Sequence, residues 1–317
     1  MKKKLVLSFL LLIAVILTGC NQKEESNKTE TLNVYTTVYP LQFFAEQIGG
    51  KYVNVHSVYP PGTDEHTFEP SQKDVIKMAE SNLFLYIGYN LEGFVTKTKP
   101  ILEKENVTLL AVGEKIHLDD ELLAHDEQGE EHEHEHEDDG HNHGDVDPHM
   151  WLDPVLAKSM AAEIKKELIK LKPEEKQFFE ENYKQLVTKL DKLNNGFKET
   201  ITKSPKKEII VSHAAYGYWE KRYGLEQIAV SGLSSSSEPS QKELKAIMEV
   251  AKEHNINYVL FEQNVQSKLT EILQKEIGAK SLQLHNLSVL TEKDIEHNKD
   301  YFSLMEKNLE TLKTALQ

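Results

Sequence analysis

The sequence has a single cysteine, Cys20, in 317 residues. A chain with one thiol can form no internal disulfide, so this thiol is free for another use. Positive charge is also unevenly distributed. The net charge is −15, and residues 119–147 hold fourteen Asp or Glu and no Lys or Arg. The rest of the chain is therefore close to neutral and lacks the basic stripe that nucleic-acid binding normally shows.

Only one long apolar run is present, at the start of the chain. Residues 2–4 are lysines, residues 5–17 are almost wholly apolar, and Leu17-Thr18-Gly19-Cys20 ends the run. The run is short for a bilayer span and is typical of a cleaved signal peptide. Its ending resembles the lipobox of bacterial lipoproteins, which are cut before the cysteine and lipidated on its sulfur. We expect a signal over residues 1–19, lipidation of Cys20 and a flexible tether over residues 20–31. The alternative is a permanent signal anchor.

Short β-rich runs alternate with helical patterns through the remaining sequence. They form two sets of four, at residues 32–37, 53–59, 83–88 and 108–112, and at residues 208–213, 227–232, 258–262 and 280–285. This alternation is typical of parallel sheets covered by helices. We therefore predict an α/β fold with two similar lobes, each a small parallel sheet flanked by helices.

A long helix is predicted between the two sets of strands, from near Pro173 to about Thr202. Its apolar residues recur at intervals of three and four: Phe179, Tyr183, Leu186, Leu190, Leu193, Phe197 and Ile201. A helix of this length runs roughly 45 Å, enough to support both lobes rigidly. We predict a first lobe over residues 32–155, linking helices over residues 156–203 and a second lobe over residues 204–317.

An internal repeat supports the division into two lobes. The sequence EPSQKD at residues 69–74 recurs as EPSQKE at residues 238–243. Each copy precedes a predicted helix that leads to a strand. Acidic residues and proline near a first turn favour helix initiation, so we interpret the repeat as structural.

Three histidines occupy positions where α/β folds build sites. His66 follows Glu65 in a loop after the second strand, and His213 ends the first strand of the second lobe. His149 lies in Asp147-Pro148-His149 at the end of the first lobe. Open α/β sheets bind ligands at the carboxyl ends of their strands. Each histidine alone is most simply an ordinary surface or hydrogen-bonded residue, but together they can converge in one cleft.

The acidic segment over residues 119–147 is also rich in histidine. It contains His125, His132, His134, His136, His141 and His143. Imidazole and carboxylate are ligands that suit Zn²⁺ and its neighbours. Because the segment is too polar to pack, we predict a mobile, weak collector of several zinc ions beside a fixed site. The alternative is a solvated acidic insertion without a metal role.

These segments resemble the metal-specific solute-binding proteins of bacterial ABC transporters, and among them the zinc (ZnuA-like) type. The resemblance rests on the lipobox, PGTDEH at residues 61–66, the histidine run, DPHMWLDP at residues 147–154, the long helix and SHAAYGY at residues 212–218. It implies Zn²⁺ held between two lobes by His66, His149 and His213. It also implies delivery to a membrane permease with its ATPase by a lipid-anchored monomer on the outer face of the cytoplasmic membrane.

The resemblance leaves the fourth ligand and the metal open. Some relatives use an acid in the loop after the last strand. Here residues 284–290 contain no carboxylate, and the next acidic residue is Glu292. Other zinc-type members use the Glu before the first histidine, so we favour Glu65. Water or an acid near Glu292 could replace it, and Glu262 could orient a ligand histidine. Manganese-type relatives carry Glu at the position of His213, whereas a third imidazole favours zinc.

Two other functional classes have to be weighed. Three histidines and a water also describe a catalytic zinc hydrolase, but no short-spaced motif such as His-Glu-x-x-His is present. Ligands from two lobes suit capture better than catalysis, so we predict that the protein is not an enzyme. A surface adhesin with structural zinc is the second alternative, and it would unfold when the metal is removed.

Overall fold

Two four-stranded parallel sheets form the centres of the two lobes. The computed structural model describes residues 31–119, 122, 146–235, 237, 239–264 and 267–317. The first sheet has the order β2-β1-β3-β4 and the second β6-β5-β7-β8. The strands are β1 (Leu32–Thr36), β2 (Val53–Ser57), β3 (Leu83–Tyr86), β4 (Thr108–Ala111), β5 (Glu208–His213), β6 (Glu226–Ser231), β7 (Tyr258–Phe261) and β8 (Lys280–Gln283). The two orders correspond strand for strand, and the predicted two-lobed α/β fold is confirmed.

Ten α-helices lie in the described part of the chain, mostly between or beside these strands. They are α1 (Tyr39–Gly49), α2 (Gln72–Ala79), α3 (Val95–Lys104), α4 (Pro154–Leu171), α5 (Lys176–Lys203), α6 (Gly217–Tyr223), α7 (Gln241–Glu253), α8 (Lys268–Glu276), α9 (Glu292–Glu296) and α10 (Tyr301–Ala315). None of these helices is both long enough and apolar enough to cross a membrane.

Helix α5 is the long helix predicted from the apolar stripe. The α-helix begins at Lys176, because Pro173–Glu175 forms a 3₁₀ turn ahead of it. Six of the seven stripe residues are buried, and Tyr183 is partly buried. The helix packs against α1 of the first lobe, α10 of the second lobe and the linking helix α4. One continuous element therefore contacts both lobes, as a rigid spine requires.

The sequence repeat begins equivalent helices in the two lobes. Ser71 caps α2 and Ser240 caps α7, and each serine hydroxyl accepts a hydrogen bond from the backbone N–H three residues later, at 3.3 Å in both cases. The acidic residue at that position, Asp74 or Glu243, bonds back to the serine backbone N–H. This reciprocal capping box explains the repeat in structural terms.

A buried 3₁₀ turn at Met150–Leu152 fixes the segment that carries His149. The Trp151 indole donates to the backbone oxygen of Asn286 at 2.7 Å, and the Trp219 indole donates to that of Leu152 at 2.7 Å. The Tyr301 hydroxyl donates to the backbone oxygen of Trp151 at 2.7 Å. Three second-lobe groups thus hold this turn at the boundary between the lobes.

Candidate metal centre

Both lobes contribute to a cluster of one carboxylate and three imidazoles. Glu65 and His66 lie in the loop after β2, and His213 is the last residue of β5. His149 directly precedes the 3₁₀ turn at the boundary. Because β2 and β5 both present their carboxyl ends to the cleft, side chains that are 147 residues apart in sequence meet there.

The cluster has the size of a metal centre. One ligand atom from each of Glu65, His66, His149 and His213 can be chosen so that all four lie within 4.8 Å of one another. The Nε2 atoms of His149 and His213 lie 3.2 Å apart. In a tetrahedral zinc site with Zn–N near 2.1 Å, neighbouring ligand atoms are about 3.4 Å apart. Small side-chain adjustments would therefore complete a tetrahedral N₃O site.

Two of the imidazoles are oriented by carboxylates behind them. His149 Nδ1 lies 2.7 Å from Asp147 Oδ1, which also accepts a hydrogen bond from the His149 backbone N–H at 2.9 Å. His213 Nδ1 contacts Glu262 Oε1 in the same manner. A proton held on Nδ1 by each carboxylate leaves Nε2 as the atom that faces the cluster. Glu262 therefore stands where a residue that orients a ligand histidine is expected.

His66 supplies an atom that has no hydrogen-bond partner among the described residues. Its Nε2 is buried, whereas its backbone N–H donates to Asp64 Oδ1 at 3.0 Å. A buried ring nitrogen without a partner is costly unless a cation or another group satisfies it. The His66 ring centroid lies 5.5 Å from that of His149 and 5.6 Å from that of His213. This geometry fits a third imidazole ligand.

Glu65 is held in the cluster by donors from the second lobe. Its Oε2 accepts from Ser288 Oγ at 2.7 Å and its Oε1 from Asn286 Nδ2 at 3.2 Å. The side chain is buried. Burial and the nearby carboxylate of Glu262 raise the pKa of Glu65 to about 7. Such a group accepts a cation in place of its proton.

The pKa values of His66 and His213 are shifted in opposite directions. Burial, together with the positive charge that His149 and His213 can carry, lowers the pKa of His66 to about 3. Burial also disfavours the His213 imidazolium, but the carboxylates of Glu262, Glu65 and Asp147 outweigh it and raise the pKa of His213 to about 9. A metal ion that binds His213 would therefore have to displace a proton, whereas the His66 imidazole is already neutral.

A cavity of about 510 Å³ adjoins the cluster. It is lined by His66, by Tyr89 and Glu114 of the first lobe, by Pro148 and by Ser234 of the second lobe, among others. His66 is therefore the cluster residue that borders the cavity. Val146, which precedes Asp147 in the sequence, also lines the cavity.

Some predicted residues cannot be located in this way. Cys20 and the six histidines of the acidic segment, His125, His132, His134, His136, His141 and His143, lie outside the described residues. Sequence reasoning also missed three groups around the cluster: Asp147, Asn286 and Ser288. Asp147 had a local signal, because an aspartate two residues before a histidine can bond both its backbone and its ring.

The chain matches a family model described as zinc-uptake complex component A, periplasmic (ZnuA), over residues 34–315. It is 38% identical over 316 residues to the zinc-binding lipoprotein AdcA of Streptococcus pneumoniae. The aligned region covers 98% of this chain and 60% of AdcA. The chain thus spans about 60% of the length of that relative. It is 34% identical over 306 residues to the high-affinity zinc uptake system protein ZnuA of Bacillus subtilis, with 96% of this chain and 94% of the relative covered.

A solved structure shares the two-lobed architecture. The crystal structure of the Zn(II)-bound ZnuA-like domain of Streptococcus pneumoniae AdcA superposes with a TM-score of 0.73 at 34% identity. The match covers 90% of this chain and 99% of that domain.

Proposed function

This chain belongs to the ZnuA family of zinc-uptake components, and from that membership we propose that it captures Zn²⁺ outside the cytoplasm and delivers it for import. The partners are the permease of an ABC transporter and its ATPase. One observation carries the proposal: ligand atoms of Glu65, His66, His149 and His213 all lie within 4.8 Å of one another, between two lobes. We assign these four residues as the zinc ligands.

The donor set favours zinc over manganese. Zn²⁺ takes imidazole nitrogen readily and accepts tetrahedral coordination, whereas Mn²⁺ prefers oxygen donors and a higher coordination number. Three imidazoles and one carboxylate match the first preference. Transport of Mn²⁺ is the alternative that a direct comparison of the two ions has to exclude.

The same arrangement supports binding without catalysis. Catalytic zinc sites usually keep one position open for water or substrate, whereas four protein ligands close the site. With Glu65 as the fourth ligand, no position is left for a reactive hydroxide. A binding protein that gives up its metal also differs from an adhesin with structural zinc, because its fold has to persist after the metal is removed.

We further propose that the protein is a monomer anchored to the outer face of the cytoplasmic membrane by a lipid on Cys20. The name of the relative AdcA, a zinc-binding lipoprotein, supports the lipid anchor. An anchor followed by a polar tether would keep the binding lobes within reach of the permease.

Uptake of ⁶⁵Zn by bacteria at limiting zinc tests the transport function. Cells without the gene are expected to lose most high-affinity uptake and to regain it with the wild-type protein. The double variant His66→Ala/His149→Ala should not restore it, because half of the proposed ligand set is gone. Parallel measurement with ⁵⁴Mn separates the two metals. Equal restoration of ⁶⁵Zn uptake by wild type and double variant would refute the proposal.

Deletion of residues 119–145 tests the role of the histidine-rich segment. We expect calorimetry to show the loss of weak additional zinc equivalents and the retention of one tight site, because none of the four proposed ligands is removed. A control of unchanged length, with the six histidines replaced by Gln, should behave like the deletion. If the tight site disappears in both proteins, the segment supplies an essential ligand and the assignment of Glu65 is wrong.

A further inference from the structure

The loop after β8 approaches the metal centre without contributing a carboxylate. Residues 284–290 of this loop include Asn286 and Ser288, both completely buried. Their side chains point to Glu65 of the opposite lobe, at 3.2 and 2.7 Å. Two polar side chains buried to this degree have to be fully hydrogen-bonded, and their partners therefore reveal their role.

The Asn286 amide bridges two carboxylates. Its Nδ2 donates to Glu65 Oε1 at 3.2 Å and to Glu262 Oε2 at 2.7 Å. The Ser288 backbone N–H can only donate, and it lies 3.0 Å from Asn286 Oδ1, so the orientation of the amide is fixed. Its Oδ1 accepts from Gln263 Nε2 at 2.7 Å and from the Ser288 backbone N–H at 3.0 Å. Every hydrogen of the amide is thus used between Glu65 and Glu262.

Ser288 donates a second hydrogen bond to the Glu65 carboxylate. Its hydroxyl lies 2.7 Å from Glu65 Oε2 and 2.9 Å from Asn286 Oδ1. A hydroxyl has one hydrogen, and the shorter bond to a charged acceptor is the stronger one. The backbone oxygen of Ser288 accepts from the Tyr39 N–H at 2.8 Å, so the residue is itself fixed to the first lobe.

The loop that carries Glu65 is held by the second lobe over its preceding residues as well. The contacts are Gly62 N–H to the Leu290 oxygen at 3.0 Å, Asn264 Nδ2 to the Thr63 oxygen at 2.8 Å and Ser235 Oγ to Asp64 Oδ2 at 2.7 Å. These bonds hold the loop, but the Glu65 carboxylate receives from these residues only one long contact, from Asn264 Nδ2 to Oε2 at 3.5 Å. Asn286 and Ser288 supply the shorter bonds that fix the carboxylate.

We propose that Asn286 and Ser288 are positioning residues that hold the Glu65 carboxylate as a zinc ligand from across the cleft. The second lobe thereby supports the oxygen ligand through hydrogen bonds. A chain of contacts runs from Ser288 through Glu65, Asn286 and Glu262 to His213, so the oxygen ligand of one lobe is linked to a nitrogen ligand of the other. This inference rests on the proposed zinc function.

A double-mutant cycle with Glu65 tests the proposal. Ser288→Ala and Asn286→Ala are each expected to weaken zinc binding by about 10- to 100-fold, the usual effect of losing a group that orients a ligand. In a Glu65→Ala background, Ser288→Ala should lower the affinity no further, since the carboxylate that it bonds is gone, whereas Asn286→Ala should keep only the part of its effect that acts through Glu262. Titration against a competing chelator gives these affinities. Full additivity in the cycle would overturn the proposal.

Asn308→Asp provides a matched control for the loop. Asn308 is buried and bonds the backbone N–H and oxygen of His285 at 2.8 Å each, without touching Glu65. Asn308→Asp and Asn286→Asp both replace a buried amide with a carboxyl group of the same shape, and both disturb the loop after β8. Only Asn286→Asp does so at the metal centre. We expect Asn286→Asp, but not Asn308→Asp, to weaken zinc binding. Equal effects would mean that the loop acts only as scaffold and would refute a positioning role.

Cobalt absorption separates positioning from loss of fold. The d–d bands of Co²⁺ depend on its ligands, so Ser288→Ala should shift them toward the spectrum of Glu65→Ala, and Asn308→Asp should not. Thermal unfolding in the absence of metal shows whether each variant folds. If wild type binds no zinc tightly, the proposed function fails. If wild type binds zinc and both Ser288→Ala and Asn286→Ala match it in affinity and spectrum, only the positioning role fails.

Discussion

Replacing His213 with Ala is expected to weaken zinc binding by about 100- to 1000-fold. A four-ligand zinc site has an apparent binding free energy of about 10–16 kcal/mol, so one ligand accounts for about 2.5–4 kcal/mol. Each 1.4 kcal/mol corresponds to about a tenfold change in affinity. Competition with a chelator of known zinc affinity measures the effect. An unchanged affinity in the variant would show that His213 is not a ligand.

The buried carboxylate behind His213 makes a second variant necessary. Without the imidazole, Glu262 keeps only Ser212 and Asn286 as described partners, and an uncompensated buried charge destabilises the fold. His213→Ala/Glu262→Gln removes that charge and should bind zinc as weakly as the single variant. His254→Ala is the control, since His254 pairs with Glu208 in the same lobe, at 3.1 Å and away from the cluster. It should bind zinc like wild type.

The architecture was predictable because its signals are local. Apolar β-rich runs separated by helical patterns indicate parallel sheets, and the structure places every predicted strand within two residues of its expected ends. The start of α5 was less predictable. Pro173 suits a first helical turn, but it begins a 3₁₀ turn, and the α-helix starts at Lys176. Helix termini respond to packing that sequence periodicity does not record.

The candidate site was partly predictable from topology. His66 and His213 follow strands whose carboxyl ends face one cleft, and the sequence indicates both strands. The contact between His213 and Glu262 also follows from strand order. Val211 of β5 is paired with Leu260 of β7, so two residues later His213 stands beside Glu262. Once the adjacency of β5 and β7 and their register are known, this pair needs no further information.

Asn286 and Ser288 could not be identified in the same way. The loop that carries them has no regular pattern, and its residues acquire a role only when the second lobe meets the loop of Glu65. Asn and Ser are ordinary loop residues, so their types gave no signal. The absence of a carboxylate in this loop was visible in the sequence. That Asn286 and Ser288 donate hydrogen bonds to Glu65 instead can be seen only in the tertiary structure.

Zinc binding is expected to weaken steeply in acid, beginning above neutral pH. The sequence alone predicts competition near pH 6.5, the unperturbed pKa of imidazole. In the structure, Glu262 and its neighbouring carboxylates raise the pKa of His213 to about 9, and burial raises the pKa of Glu65 to about 7. His66, with a pKa lowered to about 3, is already neutral and contributes little. Protons on His213 and Glu65 must leave before zinc binds.

The sign and size of the effect follow from linkage. A group that is protonated in the free protein and deprotonated in the complex lowers the affinity about tenfold per pH unit below its pKa. Protonation of His213 lowers the zinc affinity below about pH 9, and protonation of Glu65 lowers it below about pH 7. Between pH 7.5 and 5.5, the affinity should therefore fall on the order of 10³-fold.

Protein lacking residues 119–145 is the suitable material, because that segment would add six further imidazoles to the proton count. Calorimetry in buffers of different ionisation enthalpy should count about one proton released per zinc at pH 8 and more at pH 6, where the Glu65 carboxylate also has to lose a proton. Glu65→Gln should release about one proton fewer than wild type at pH 6, since that carboxylate is no longer present. An affinity that is equal at pH 8 and pH 7 would show that His213 is neutral in the free protein, and the contact with Glu262 would then orient the ring without charging it.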